Sequence, residues 1–246
     1  MALSEVLIHT DGVFFRYRTA QHDLFRALNL EITRGEIVGI LGESGSGKTT
    51  LLKLLAGLEQ PTDGIIVRNC STKGSFVFQA PVLLDWLNVR QNVLFPTNHS
   101  DAAVSEVSEA LREVELQSDG DKYPRELSGG MRSRVQLARA LYRRPEVLFL
   151  DEAFSALDEK LRHQLNMLLK RLRERYEFAA VMISHSVHEA VYLSDRILLL
   201  KKGDDGSTDV SEVIEGLSFS RRSRDVWDTP EFGGQVALIR QRMLDS

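Results

Sequence analysis

Glu36-Ile37-Val38-Gly39-Ile40-Leu41-Gly42-Glu43-Ser44-Gly45-Ser46-Gly47-Lys48-Thr49-Thr50, continuing through Leu51 to Ala56 and Gly57, decides the fold of this chain. Residues 36–41 form a short apolar run that ends in glycine, as a buried strand does. Thr49 to Ala56 reads as a helix, with Gly57 as its stop. Between strand and helix lies Gly-x-x-x-x-Gly-Lys-Thr, with a further glycine at 45. Gly42, Gly45 and Gly47 let the backbone curl so that successive N–H groups point into one concavity. The helix start adds its positive dipole end. In that context the stretch is a phosphate-binding loop: Lys48 reaches the β- and γ-phosphates of ATP, and the Thr49 hydroxyl binds Mg²⁺. The plainer alternative is a Gly/Ser turn beside a lysine. At average composition the fixed positions arise by chance in roughly 1% of chains this long.

Working outward, Val6-Leu7-Ile8 and Val13-Phe14-Phe15 are β-rich, and Leu28 to Ile32 alternates with period two. Residues 5–33 are therefore predicted as strands. Ile65-Ile66-Val67 and Phe76-Val77-Phe78 add two more. After Gln79 the pattern changes: Val104, Val107, Leu111 and Val114 share a helical face. Ser128 can cap a helix running to about Arg143, so residues 80–145 read as a mostly helical insert. Strands return at Val147 to Leu150, Ala179 to Ser184 and Ile197 to Leu200. A helix with Leu157, Leu161, Leu165, Leu168 and Leu172 in register lies between the first two. This alternation means an α/β core. Lys202 to Ser211 is polar and reads as a loop. Arg221, Arg222 and Arg224 make a small basic cluster, and Val236 to Leu244 is expected as a terminal amphipathic helix. Internal repeats and low-complexity tracts are absent from the sequence.

Composition narrows the function classes. The 246 residues are 43% hydrophobic and 27% charged with net charge −4, an ordinary globular balance. One large domain, or a domain with a subdomain, is expected. Neither the net charge nor any basic stripe favours nucleic acid. The single Cys70 rules out an internal disulfide and fits a reducing compartment. No apolar run approaches the 18 residues of a membrane span, and the N-terminus lacks the basic-then-apolar pattern of a signal peptide. The expectation is a soluble chain that reaches a membrane only by docking onto another protein.

Other residues carry chemistry by their placement. Asp151 and Glu152 follow four apolar residues, at the strand end where α/β sheets bind ligands. Asp151 would hold Mg²⁺ through water, and Glu152 would act as general base. Alternatively the two are an acidic cap pair opening the next helix. His185 ends the strand from Ala179 and can hydrogen-bond a γ-phosphate. His188, three residues on, could share a helix face with it. A structural histidine is the plainer reading, and a zinc pair lacks nearby partners. Gln79, just after a strand, could orient water or ligate Mg²⁺. Leu127-Ser128-Gly129-Gly130 is a capped helix start with N–H groups aimed at an anion; taken alone it is a cap.

With these segments in order, the chain resembles the nucleotide-binding subunit of an ATP-binding cassette (ABC) transporter. The resemblance rests on Gly42 to Thr50 (Walker A), Gln79 (Q-loop), Leu127 to Met131 (signature), Leu148 to Glu152 (Walker B), Ser155-Ala156-Leu157-Asp158 (D-loop) and His185 (switch histidine). It spans about residues 5–202. It implies an α/β phosphate-loop NTPase core, a mixed sheet with flanking helices. An N-terminal antiparallel β subdomain and an inserted helical subdomain would complete it. One cassette domain is expected: core and β subdomain over 1–79 and 146–202, helical subdomain over 80–145, and a C-terminal extension over 203–246. The resemblance further implies a head-to-tail dimer. ATP would lie between one subunit's loop, with Glu43, Ser44, Ser46 and Thr50, and the other's Ser128, Gly129, Gly130 and Asp158. Tyr17 matches the aromatic that stacks on adenine; a packed strand tyrosine is the alternative. Mg²⁺ would be held by Thr49, Gln79 and Asp151. Partners would be a second copy, two membrane permease subunits and, indirectly, a solute-binding protein, at the cytoplasmic face of a bacterial inner membrane.

Leu83 to Val93 and Met131 look like the nitrate/sulfonate/taurine-type importer branch, which implies import of a small anionic solute. That branch usually has Pro where this chain has Asp85. Met131 and Ser133 stand where the wider family often has Gln, the stretch Asn69 to Ser75 is short, and Ser184-His185-Ser186 replaces a frequent Thr-His-Asp. None of these removes a catalytic group. Two other functions are open to a chain with a phosphate loop. A soluble cassette ATPase in cofactor assembly or nucleic-acid work would call for a tandem cassette or a basic stripe. A small-molecule kinase would leave the signature and D-loop without a role.

Overall fold

The computed structural model describes residues 5–69, 73–96, 101–203, 205–217 and 224–244, with the side chains of 101–104, 224 and 225 left out. Cys70, Arg221, Arg222 and the side chains of Val104 and Arg224 therefore lie outside the described residues. The described residues form nine strands and seven helices. They are β1 (Val6–Phe15), β2 (Phe25–Thr33), β3 (Ile37–Gly42), α1 (Lys48–Ala56), β4 (Asp63–Arg68), β5 (Gly74–Val77), α2 (Val89–Leu94) and α3 (Asp101–Glu113). Then come α4 (Gly129–Tyr142), β6 (Val147–Asp151), α5 (Glu159–Tyr176), β7 (Ala179–Ile183), α6 (Val187–Leu193), β8 (Arg196–Lys202), β9 (Thr208–Glu215) and α7 (Pro230–Leu244). Single 3-10 turns occupy Pro124–Glu126 and Arg224–Asp228.

The chain divides into two compact units, 1–72 with 179–246, and 73–178. In the first, the strands run β4-β1-β2-β9-β8-β3-β7. β1 pairs antiparallel with β2 and β4, giving the antiparallel N-terminal layer. β3 lies parallel between β7 and β8. β3 and β7 are buried almost throughout, which is why they read as unbroken apolar runs. β9 corrects the expectation that Lys202 to Ser211 is a loop. β8 continues to Lys202, and β9 starts at Thr208 and pairs antiparallel with it. Only Thr208 and Ile214 of β9 are fully buried, so its polar outward positions mimic a loop's composition. In the turn between them, Asp205 accepts both the N–H and the hydroxyl of Ser207, and Arg26 donates to it as well. Those bonds, the Ser207 hydroxyl first, hold its carboxyl well below the usual carboxylate range. The terminal helix starts at Pro230, six residues ahead of the expected Val236. Proline suits a first helical position, and Thr229 Oγ1 accepts the N–H of Phe232.

The second unit is wider than the helical segment 80–145, because β5, β6 and α5 make their contacts within it. β5 and β6 pair in parallel. α5 begins at Glu159, capped by Asp158, whose carboxylate accepts the N–H of Leu161 at 2.9 Å. Leu157 therefore precedes the helix rather than joining its apolar stripe, while Leu165, Leu168 and Leu172 are buried as expected.

Candidate functional site

In the first unit the loop after β3 curls over the start of α1. Gly42, Gly45 and Gly47 all have positive φ, at 156°, 81° and 81°. A Cβ on Gly42 would sit 2.6 Å from the Leu200 carbonyl, and one on Gly47 would press on Phe25 and Leu24 near 3.0 Å. The curl is therefore closed to any side chain at both positions. No side chain caps α1, and its first turn carries no acidic residue, so the helix start is left to a ligand. The buried Lys48 Nζ donates to the carbonyls of Gly42 and Glu43 at 2.9 and 2.7 Å, folding the side chain back across the loop. Glu43, Ser44 and Gly45 are exposed, Thr49 is half-buried, and the buried Ser46 Oγ has no hydrogen-bond partner among the described residues. Tyr17 lies beyond the end of β1, 44% exposed and edge-on to Phe15 at 4.9 Å, with its hydroxyl 2.5 Å from that of Thr50. It is not a packed strand aromatic.

Register ties the next strand end to the loop. Ile40 of β3 pairs with Ile183 of β7, so Gly42 and His185 come two residues later on the same sheet edge. His185 is exposed and precedes Ser186, the N-cap of α6. His188 is inside that helix, so the two histidines do not share a helix face. Ser186 accepts the N–H of Glu189, a capping job that Asp would do equally well.

The same register logic operates in the second unit. Val77 pairs with Leu150, which puts Gln79 level with Glu152 just past the strand ends. Gln79 Nε2 donates to Ser155 Oγ at 3.3 Å. Asp151 ends β6, and Glu152 has φ 48°, a left-handed conformation in which a non-glycine residue is strained. The cap of the following helix is Asp158, six residues on, so Asp151 and Glu152 are not an N-cap pair. Ser128 caps α4 by accepting the N–H of Met131 at 3.3 Å, and Ser128 and Gly129 are exposed while Gly130 is buried.

Three supporting features escaped the sequence reading. Buried Asn92 accepts from Leu84 N–H and donates to the carbonyls of Leu84, Leu87 and Asn88, pinning the segment after Gln79. That segment exposes Val82 and Trp86, the latter by 72%. Asn88 and Gln91 form a reciprocal capping box on α2, a signal that Asn-x-x-Gln spacing does carry. Met243, in the last turn of α7, lines a small cleft with Gly42 and Glu43, which no local pattern announces.

The glycine curl, the uncapped helix start and the buried lysine make a cradle of a size and charge to receive an anion, and comparison with known proteins gives the chain its class. The family model for ABC transporters matches residues 25–155, and the chain belongs to that family as one of its ATP-binding, ATP-hydrolysing cassettes. It is 42% identical over 218 residues to the aliphatic sulfonates import ATP-binding protein SsuB 2 of Pseudomonas syringae pv. tomato, covering 89% of this chain and 90% of the relative. It is 37% identical over 245 residues to the bicarbonate transport ATP-binding protein CmpC of Synechocystis, covering 94% of this chain but 36% of that longer protein. Among solved structures, an ATP-binding cassette dimer in a post-hydrolysis state with ADP and Pi superposes with a TM-score of 0.72 at 29% identity, over 85% of this chain and 98% of that one. Among the described residues no helix is long and apolar enough to cross a membrane.

Proposed function

We propose that two copies of this chain close around two Mg²⁺–ATP molecules and, through two membrane permease subunits, drive uptake of a small anionic solute. One observation carries the reading: among the described residues, a second glycine-rich helix start stands apart from the phosphate loop. The first belongs to the phosphate loop. The second, at Ser128-Gly129-Gly130 in the unit that has no such loop, is capped by Ser128 and exposes Ser128 and Gly129, with Gly130 buried. A γ-phosphate held by another copy would satisfy it.

In this reading Lys48 and the backbone from Gly42 through Thr50 hold the phosphates, and Glu43, Ser44, Ser46 and Thr50 line the loop. Tyr17 stacks on adenine. Ser128, Gly129, Gly130 and Asp158 meet the partner copy's nucleotide. Thr49, Gln79 and Asp151 would hold Mg²⁺, a cation that takes hard oxygen donors and most of its shell from phosphate and water. When bound it neutralises phosphate charge. The orphaned Ser46 hydroxyl supports a cradle made for an oxyanion. Glu152 accepts the proton of the attacking water, Gln79 orients that water, and His185 hydrogen-bonds the γ-phosphate. The exposed Val82 and Trp86, on a segment pinned by Asn92, suit docking to a permease at the cytoplasmic face of a bacterial inner membrane. The names of the relatives, an aliphatic sulfonates import and a bicarbonate transport ATP-binding protein, support an anionic solute; delivery by a binding protein belongs to the same reading.

Lys48→Ala is expected to weaken Mg²⁺–ATP binding about 10- to 100-fold, the worth of one charge-assisted hydrogen bond. Fluorescent-nucleotide titration reads this, and unchanged affinity would contradict the loop's role. The function as a whole is tested by reconstituting the chain in proteoliposomes with its neighbouring permease and binding protein. ATPase activity is expected to rise with a sulfonate, taurine, nitrate or bicarbonate. If the chain hydrolyses ATP but associates with no permease, the transport reading is wrong.

A further inference from the structure

Residues 224–244 take no part in the phosphate chemistry above, yet they wall in the helix that follows His185. α6 has seven residues, too few to hold its shape in water without tertiary support. Its first turn is a clasp around His185. On one side Ser184 Oγ donates to the carboxylate of buried Glu189 and accepts the N–H of Ser186 at 3.0 Å. On the other, Ser186 Oγ accepts the N–H of Glu189 at 3.3 Å. His185 stands exposed between these two serines, so its placement follows that of α6.

Two supports hold α6. Just beyond its C-terminal end, Asp195 N–H donates to the Ile37 carbonyl at 2.7 Å, and Ile37 N–H donates to Asp195 Oδ2 at 2.8 Å. That fastens it to β3, the strand that leads into the phosphate loop. The other support comes from the C-terminal extension. The Trp227 ring stacks on Tyr192 at 4.9 Å and lies parallel to His188 at 6.3 Å. Phe232 meets Trp227 at 4.9 Å and His188 at 6.0 Å. Tyr192 and Phe232 are buried, as are Val226, Val236 and Ile239 behind them. Gln235 Nε2 donates to the Glu215 carbonyl at 2.8 Å, anchoring α7 to the end of β9. The aromatic rings thus link the extension to α6 one turn past the residue that matters for chemistry.

We infer that the C-terminal extension is a positioning element of the ATPase site, in which Trp227, through His188 and Tyr192, sets how α6 presents His185. This rests on the reading of His185 as the γ-phosphate's partner. Trp227 does not touch nucleotide in this scheme. A side chain that only packed would change stability and leave the turnover of the folded protein alone. A positioning one lowers kcat and spares nucleotide affinity, which the phosphate loop supplies.

The test compares Trp227→Ala, Trp227→Phe, His185→Ala and the double variant Trp227→Ala/His185→Ala in the full chain, reading kcat for Mg²⁺–ATP and equilibrium nucleotide affinity. Trp227→Ala is expected to lower kcat about 5- to 20-fold with affinity within about twofold, and Trp227→Phe, which keeps a ring against Tyr192, to recover most of it. His185→Ala should lose at least as much, and the double variant less than about twofold more, because both act through one group. If Trp227→Ala turns over normally while His185→Ala does not, the positioning role is overturned and the reading of His185 stands. If His185→Ala keeps full turnover, both are overturned. Losses that multiply in the double variant also overturn the positioning role. Where Trp227→Ala does not fold, His188→Ala decides: its half-exposed ring can be removed without hollowing the core, and the same cycle with His185→Ala is expected to give a loss of about 2- to 5-fold that does not multiply. Normal turnover in His188→Ala overturns the proposal.

Discussion

Glu152→Gln is expected to keep Mg²⁺–ATP binding and to lose turnover by about 10²- to 10⁴-fold, the usual share of a general base. The backbone at this position is strained, with φ at 48°. The Ser155 N–H donates to the Glu152 carbonyl at 3.0 Å and closes the turn. Glutamine preserves size and the backbone hydrogen bond that closes the turn, while removing the basic carboxylate. ATP would still draw two copies together, and without hydrolysis the dimer would stay closed. Phosphate release and gel filtration with Mg²⁺–ATP measure the two halves of this expectation. An undiminished rate would end the role of Glu152 as base.

Ser128→Arg is expected to abolish hydrolysis in the homodimer, by roughly 10²-fold or more, the loss typical of removing a preorganised anion contact. The substitution also deletes the cap of α4, at about 1 kcal/mol, which thermal unfolding reads separately. The informative experiment is the mixed dimer. A copy with an altered signature retains its own phosphate loop, so a site shared between copies loses function on one side only. Full activity at both sites of such a dimer would contradict the sharing of sites. The exposure of Ser128 and Gly129 at the start of a 14-residue helix is the structural ground for this expectation.

The departure from the family's frequent Thr-His-Asp segment has a physical reading. Ser186 caps α6 where aspartate would also serve, so the helix start behind His185 is preserved. What is missing is a carboxylate adjacent in sequence to the histidine. The nearest one built into the same clasp is that of Glu189, bonded to Ser184.

Much of the architecture was legible in the sequence because its signals are local. A buried parallel strand, a glycine curl and a helix are each written in consecutive residues, so β3, the phosphate loop and α1 could be read outward from Glu36. Gln79, Ser128, Glu152 and His185 stood out because they follow strands or open helices. The resemblance points Asp158 at the partner's nucleotide, but its role as the cap of α5 is visible only in the fold, as is the placement of Leu157 ahead of that helix. β9 was missed since its polar outward face imitates a loop until β8 supplies a pairing edge.

The sequence by itself determined the core order of strands and helices and the chemical identity of the phosphate loop, because period, glycine and capping signals act over a few residues. Only the tertiary structure decided what the C-terminal extension packs against. Trp227 and His188 are 39 positions apart, and each looks unremarkable alone. Their stacking exists because α7 folds back over α6, a long-range choice that burial of apolar surface makes and that no local pattern encodes.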